Sequence, residues 1–193
     1  IIRPCITANI PRPDGSYTLL IDVGINPDCK PDVLYQYGIL GSIYSKVIYN
    51  TDNPKIGLLN IGAEEEKGNL LTRSAYELMK NTKDFNFIGN IEGNDIFNFT
   101  KVDVIICDGF IGNVLLKTME GFYFFLKERK LTDSYLDTYN FANYGGTPVL
   151  GINSNVVIAH GASKATAIAN MIKITSKLAK VDLPEKIRNF FNK

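Results

Sequence analysis

Short apolar runs recur along this chain, and after each the sequence turns polar and rich in Gly and Asn. The runs at 17–23 (YTLLIDV), 55–61 (KIGLLNI), 85–88, 102–107 (VDVIIC) and 156–159 read as strands. Helical patterns fill the intervals at 32–49, 70–81, 113–129 and 164–180, and a last one covers 184–192. Strands alternating with helices predict a mainly parallel sheet with helices on both faces. The strands are apolar almost without interruption, as two covered sheet faces require. In open α/β sheets, ligands bind beyond the carboxyl ends of the strands. The loops after the five runs are therefore expected to share one rim. They carry Gly24 and Asn26; Lys67, Gly68 and Asn69; Gly89 and Asn90; Gly109, Gly112 and Asn113; and His160 and Gly161.

With 193 residues, 45% hydrophobic and 21% charged, the chain has the mix of a globular α/β domain. A formal net charge of +1 gives no general affinity for nucleic acid, so an anion site has to come from local charge. No apolar run is long enough to span a bilayer. The three cysteines, Cys5, Cys29 and Cys107, lie far apart with no metal-ligand spacing and read as reduced thiols in a cytosolic protein. Neither a metal nor a cofactor is expected. The opening Ile1-Ile2-Arg3-Pro4 is expected to begin a piece of a longer protein, with 1–193 forming one α/β unit.

Each loop allows two readings. Lys67 follows Glu64, Glu65 and Glu66 just ahead of a predicted helix, where free N–H groups and the helix dipole favour an anion. Alternatively, the glutamates complement the dipole and Lys67 is merely solvated. Gly109 and Gly112 would let backbone amides approach an oxyanion, with Asn113 donating beside them; otherwise they form a turn capped by Asn113. His160, the one histidine, could polarise a carbonyl or phosphate, or make a structural hydrogen bond at a strand end. Pro27 and Pro31 make the Asn26 loop a stiff turn. Cys107 reads as inert packing rather than as a nucleophile. Phe122, Tyr123, Phe124 and Phe125 stand in a row on one helix, and no single face hides all four.

Taken together, the segments LLIDVGINPDCKPD, GLLNIGAEEEKGN, NFIGNIEGNDIF, CDGFIGNVLLKTMEG, YGGTPVLGIN and IAHGASKATAI resemble the successive motifs of the phosphate acyltransferase family of bacterial phospholipid synthesis. The resemblance implies a three-layer α/β/α sandwich like that of isocitrate and isopropylmalate dehydrogenases. It implies acyl transfer from an acyl carrier protein thioester to inorganic phosphate, with no cofactor. Lys67, Asn113 and His160 would be catalytic, and Gly68, Asn69, Gly109, Gly112 and Asn26 would bind substrate. It further implies a cytoplasmic homodimer peripheral to the inner face of the cell membrane, supplying a downstream glycerol-3-phosphate acyltransferase. The family's N-terminal motifs are missing here, and its helical excursion is short at 127–143. Two rivals follow: a truncated chain that dimerises or binds acyl carrier protein without turnover, and a metal-dependent dehydrogenase of the same fold. Asp22, Asp95 and Asp108 make no metal motif that would favour the second.

Overall fold

The computed structural model describes residues 1–140, 145–159 and 163–192. Seven strands form one sheet: β1 (Cys5–Pro11), β2 (Tyr17–Ile21), β3 (Lys55–Leu59), β4 (Asn86–Ile91), β5 (Val104–Ile106), β6 (Thr147–Leu150) and β7 (Val156–Ile158). Their order across the sheet is β4-β3-β5-β2-β1-β6-β7. Strands β2, β3, β4 and β5 run parallel, and β6 shares their direction. The other two, β1 and β7, run the opposite way.

All five runs read as strands from the sequence are strands here, but β1 and β6 are additions. The first was concealed by Pro4, Pro11 and Pro13, which make its surroundings look irregular. It joins β2 in an antiparallel hairpin whose turn is closed by Arg12 N–H to Ser16 O at 2.9 Å and Gly15 N–H to Arg12 O at 3.0 Å. Gly15 takes φ +82°, the left-handed conformation that hairpin turns demand.

Five helices complete the fold: α1 (Pro31–Ile48), α2 (Leu70–Met79), α3 (Gly109–Glu128), α4 (Ala165–Lys180) and α5 (Leu183–Phe191). On one face, Leu34, Tyr37 and Leu40 of α1, Ala75 and Met79 of α2, and Leu183 and Ile187 of α5 bury against Leu19, Ile21, Ile56, Leu58, Val104 and Ile106. On the other, α3 supplies Met119 and Tyr123, which meet Ile10, Leu20, Ile91 and Ile105. Successive strand residues point to opposite faces, so neighbours such as Ile105 and Ile106 serve different cores. Of the aromatic row on α3, only Tyr123 turns inward, while Phe122, Phe124 and Phe125 stay more than half exposed.

Candidate functional site

The parallel strands β3, β5 and β2 are consecutive in the sheet, so the loops at their carboxyl ends are neighbours. The loop after β2 is tied around Asp22, which is 0% exposed. Its Oδ1 accepts from Ile6 N–H at 3.0 Å, and its Oδ2 from Asn26 N–H at 2.8 Å. Asn26 is 3% exposed, and its side-chain nitrogen donates to Pro4 O and Tyr37 Oη at 2.7 Å each, with Asp22 Oδ2 at 3.2 Å. An amide nitrogen has two donors, and these are occupied within the protein. Asn26, expected to bind substrate, uses both of these donors to brace the loop from within.

The loop after β5 enters its helix earlier than the sequence suggests. α3 starts at Gly109 rather than at Asn113, with Asp108 as N-cap accepting from Ile111 N–H at 2.8 Å. A β-carbon on Gly112 would sit 1.8 Å from Asp22 O, and one on Gly109 would lie 2.9 Å from Asn26 N and O. The two glycines thus let the first turn of α3 lie directly on the Asp22 loop. Their amides are taken as well: Gly109 N–H donates to Asn26 O at 2.7 Å, and Gly112 N–H to Asp108 O at 3.0 Å. The expected open cradle of amides at Gly109 and Gly112 is therefore replaced by close packing. Asn113 is different. It is exposed, one side-chain N–H reaches Val23 O at 3.2 Å, and the second donor is left for a ligand.

After β3, Asn60 folds the loop back on itself by donating its side-chain amide to Lys67 O at 3.1 Å. Gly68 has φ +95°, and a β-carbon there would fall 2.1 Å from Thr72 Oγ1, so this corner requires glycine. Asn69 is the N-cap of α2, its Oδ1 accepting from Thr72 N–H at 2.9 Å. Lys67 is exposed, and its ammonium has no ion pair or hydrogen bond among the described residues. A free cation thus stands at the positive end of a helix, an arrangement suited to a phosphate-sized anion. Below it, Asn90 of β4 supports the loop by donating to Glu64 O at 2.8 Å.

His160 lies outside the described residues, as does Gly161. The strand ahead of it, β7, is antiparallel to β6, and Ile158 pairs with Thr147 at the start of β6. The carboxyl end of β7 is consequently opposite to that of β2, β3, β4 and β5, so the strand ends expected to share one rim do so for four of the five, and Gly89 and Asn90, expected in a loop, lie within β4 instead. The reversal comes from β6, a strand of four residues hidden in the sequence between Gly146 and Gly151.

Burial pushes the Cys107 thiol well above its ordinary value, and Asp108 and Asp22 add to the effect. The thiol stays protonated and packs against Asp22 O at 3.6 Å, as inert packing requires. Among the described residues no group of three His, Cys, Asp or Glu could hold a metal ion.

The model for the family described as "Fatty acid synthesis protein" matches residues 1–134. A protein of Syntrophomonas wolfei named "Phosphate acyltransferase" is 47% identical over 179 residues, covering 90% of this chain and 56% of its own length. One of the same name from Dictyoglomus turgidum is 41% identical over 212 aligned positions, covering 100% of this chain and 63% of its own length. The chain thus spans about three fifths of the length of these relatives. Among solved structures, a branched-chain phosphotransacylase from Enterococcus faecalis superposes with a TM-score of 0.60 at 14% identity, over 91% of this chain and 65% of that one. EutD phosphotransacetylase from Staphylococcus aureus gives a TM-score of 0.54 at 12% identity, over 95% of this chain and 55% of that one. At such identities the two structures speak for the α/β fold alone.

Proposed function

We propose, for a chain that belongs to the fatty acid synthesis protein family, that it is the C-terminal part of an enzyme transferring an acyl group from an acyl carrier protein thioester to inorganic phosphate. The observation that carries the reading is the unpaired Lys67 ammonium just ahead of α2, in the loop after β3, the strand next to β5, which leads into α3 and Asn113. Phosphate is itself the nucleophile, so the protein need supply none. A phosphate oxygen attacks the thioester carbonyl carbon, the carbonyl oxygen takes up negative charge, and collapse breaks the C–S bond. The products are acyl phosphate and the free carrier thiol.

In this reading Lys67 and the α2 N-terminus hold the phosphate, with Gly68 and Asn69 shaping the corner. The free N–H of Asn113 donates to the oxyanion, a contact that strengthens as charge develops. Holding both reactants together supplies proximity, which can be worth about 7–11 kcal/mol. Gly109, Gly112 and Asn26 act behind these groups, fixing where Asn113 stands.

The wider setting belongs to the same proposal. The complete fold is an α/β/α sandwich of the isocitrate and isopropylmalate dehydrogenase type. A second subunit covers exposed Phe122, Phe124 and Phe125, forming a homodimer. No helix among the described residues is long and apolar enough to cross a membrane. The enzyme works in the cytoplasm, peripheral to the inner face of the membrane, and passes its acyl phosphate to a glycerol-3-phosphate acyltransferase.

The test is incubation of the full-length protein with acyl carrier protein thioester and labelled phosphate, with the acyl phosphate separated intact from free phosphate. Labelled acyl phosphate forming in step with free thiol supports the reading. Thioester consumed without labelled product refutes it.

A further inference from the structure

The buried group most heavily committed to the rim is one that the proposed chemistry does not use. Asp22 sits at the carboxyl end of β2 with its two oxygens tying β1 to the loop, Oδ1 also accepting from Ile25 N–H at 3.5 Å. Oδ1 takes Ile6 N–H of β1 at 3.0 Å, and Oδ2 takes Asn26 N–H at 2.8 Å and Asn26 Nδ2 at 3.2 Å. The first turn of α3 rests on the same knot. Asp22 O is 1.8 Å from where a β-carbon on Gly112 would be, Gly109 N–H donates to Asn26 O at 2.7 Å, and Asn113 Nδ2 meets Val23 O at 3.2 Å. Each backbone group that locates Asn113 is thus attached to the segment that Asp22 ties down.

We infer that Asp22 is a positioning residue for Asn113, acting through Asn26 and the Gly109–Gly112 turn. The inference rests on Asn113 lying at the site of acyl transfer. Both Asp22 oxygens accept from backbone N–H groups, so an Asn in its place must turn its NH2 group toward one of those donors whichever way it flips. The substitution keeps the shape of the side chain and removes one acceptor, so the loop shifts while the cores on either face of the sheet keep their side chains. Displacement of a reacting contact by about 1 Å can lower a rate on the order of 10²-fold.

The experiment is a double-mutant cycle in the full-length protein, with kcat for acyl phosphate formation as the readout. Asp22→Asn should lower kcat on the order of 10²-fold in the wild-type background, and by less than about 3-fold when Asn113 is already Ala, because coupled residues are non-additive. Equal losses in both backgrounds overturn the inference, since Asp22 would then serve the fold at large. If Asp22→Asn does not fold, Tyr37→Phe replaces it in the cycle. It removes the Oη that accepts from Asn26 Nδ2 at 2.7 Å and leaves the ring in the core. Its smaller loss should likewise vanish with Asn113 absent, and an additive loss refutes the inference. A second readout does not depend on activity: the side-chain amide resonance of Asn113, identified by its disappearance in Asn113→Ala. Either knot variant should move it while leaving the α2 amides in place; an unmoved resonance overturns the inference. A wild-type protein that makes no acyl phosphate defeats the functional reading instead, and the resonance still decides what Asp22 does.

Discussion

Gly112→Ala tests the contact on which the rim is built. The new methyl carbon would lie 1.8 Å from Asp22 O and 2.9 Å from Asp22 C, both backbone atoms that cannot rotate away. The first turn of α3 has to lift off the loop by more than an ångström. Overpacking of this kind costs about 1–3 kcal/mol. Lifting also stretches Gly109 N–H to Asn26 O and Asn113 Nδ2 to Val23 O, at about 1 kcal/mol each. The sum, about 3–5 kcal/mol, is a large part of the 5–15 kcal/mol typical of a folded protein. Gly121→Ala in the same helix is the control. A β-carbon there meets nothing within 4 Å, so the higher helix propensity of Ala should stabilise by about 0.5–1 kcal/mol. Urea denaturation of the full-length protein reads both, and the midpoints should move in opposite directions. If Gly112→Ala unfolds at the wild-type midpoint or above it, the close approach of α3 to Asp22 is wrong.

Lys67→Ala should lower turnover at fixed phosphate by about 3 kcal/mol, or two orders of magnitude, in steady-state kinetics; unchanged phosphate dependence removes Lys67 from the site. Replacing Phe124 and Phe125 with Asp should shift the full-length protein from dimer toward monomer in detergent-free sedimentation, because both side chains are exposed on α3. A variant that stays dimeric reassigns these aromatics. Burial, the largest cause, raises the Cys29 thiol from 9.0 to about 11. The unfolded chain therefore ionises this thiol first, so its contribution to stability is complete below pH 9 and is lost as pH rises toward 11. Cys29→Ser should flatten that alkaline limb in denaturation midpoints measured across pH, and an unchanged limb would count against a half-buried Cys29.

The apolar runs were legible as strands because continuous Val, Ile and Leu between Gly-rich loops leave few alternatives; β3 and β5 lie within the expected stretches. What escaped was pairing direction. β1 carries Pro at its end and has no helix after it, yet the Asp14-Gly15 pair between two apolar runs was a hairpin signal available in the sequence. β6 is only four residues long, and without it the reversal of β7 had no visible cause. Lys67 and Asn69 could be placed because a helix start has a recognisable local pattern. The roles of Gly109, Gly112 and Asn26 could not, since their partners Asp22, Tyr37 and Pro4 are set by tertiary packing. Nor does any local pattern single out Asp22, a carboxyl at a strand end with no charged partner nearby in sequence.

The measurement bearing most directly on acyl transfer to phosphate is free-thiol release from acyl carrier protein thioester by the full-length protein, followed as a function of phosphate concentration. With phosphate labelled in all four oxygens, the bridging oxygen of the product should carry the label, and thiol release should saturate with phosphate and vanish without it. Thiol release that proceeds equally without phosphate, giving free fatty acid, would contradict phosphate as the nucleophile and with it the role of the rim between Lys67 and Asn113.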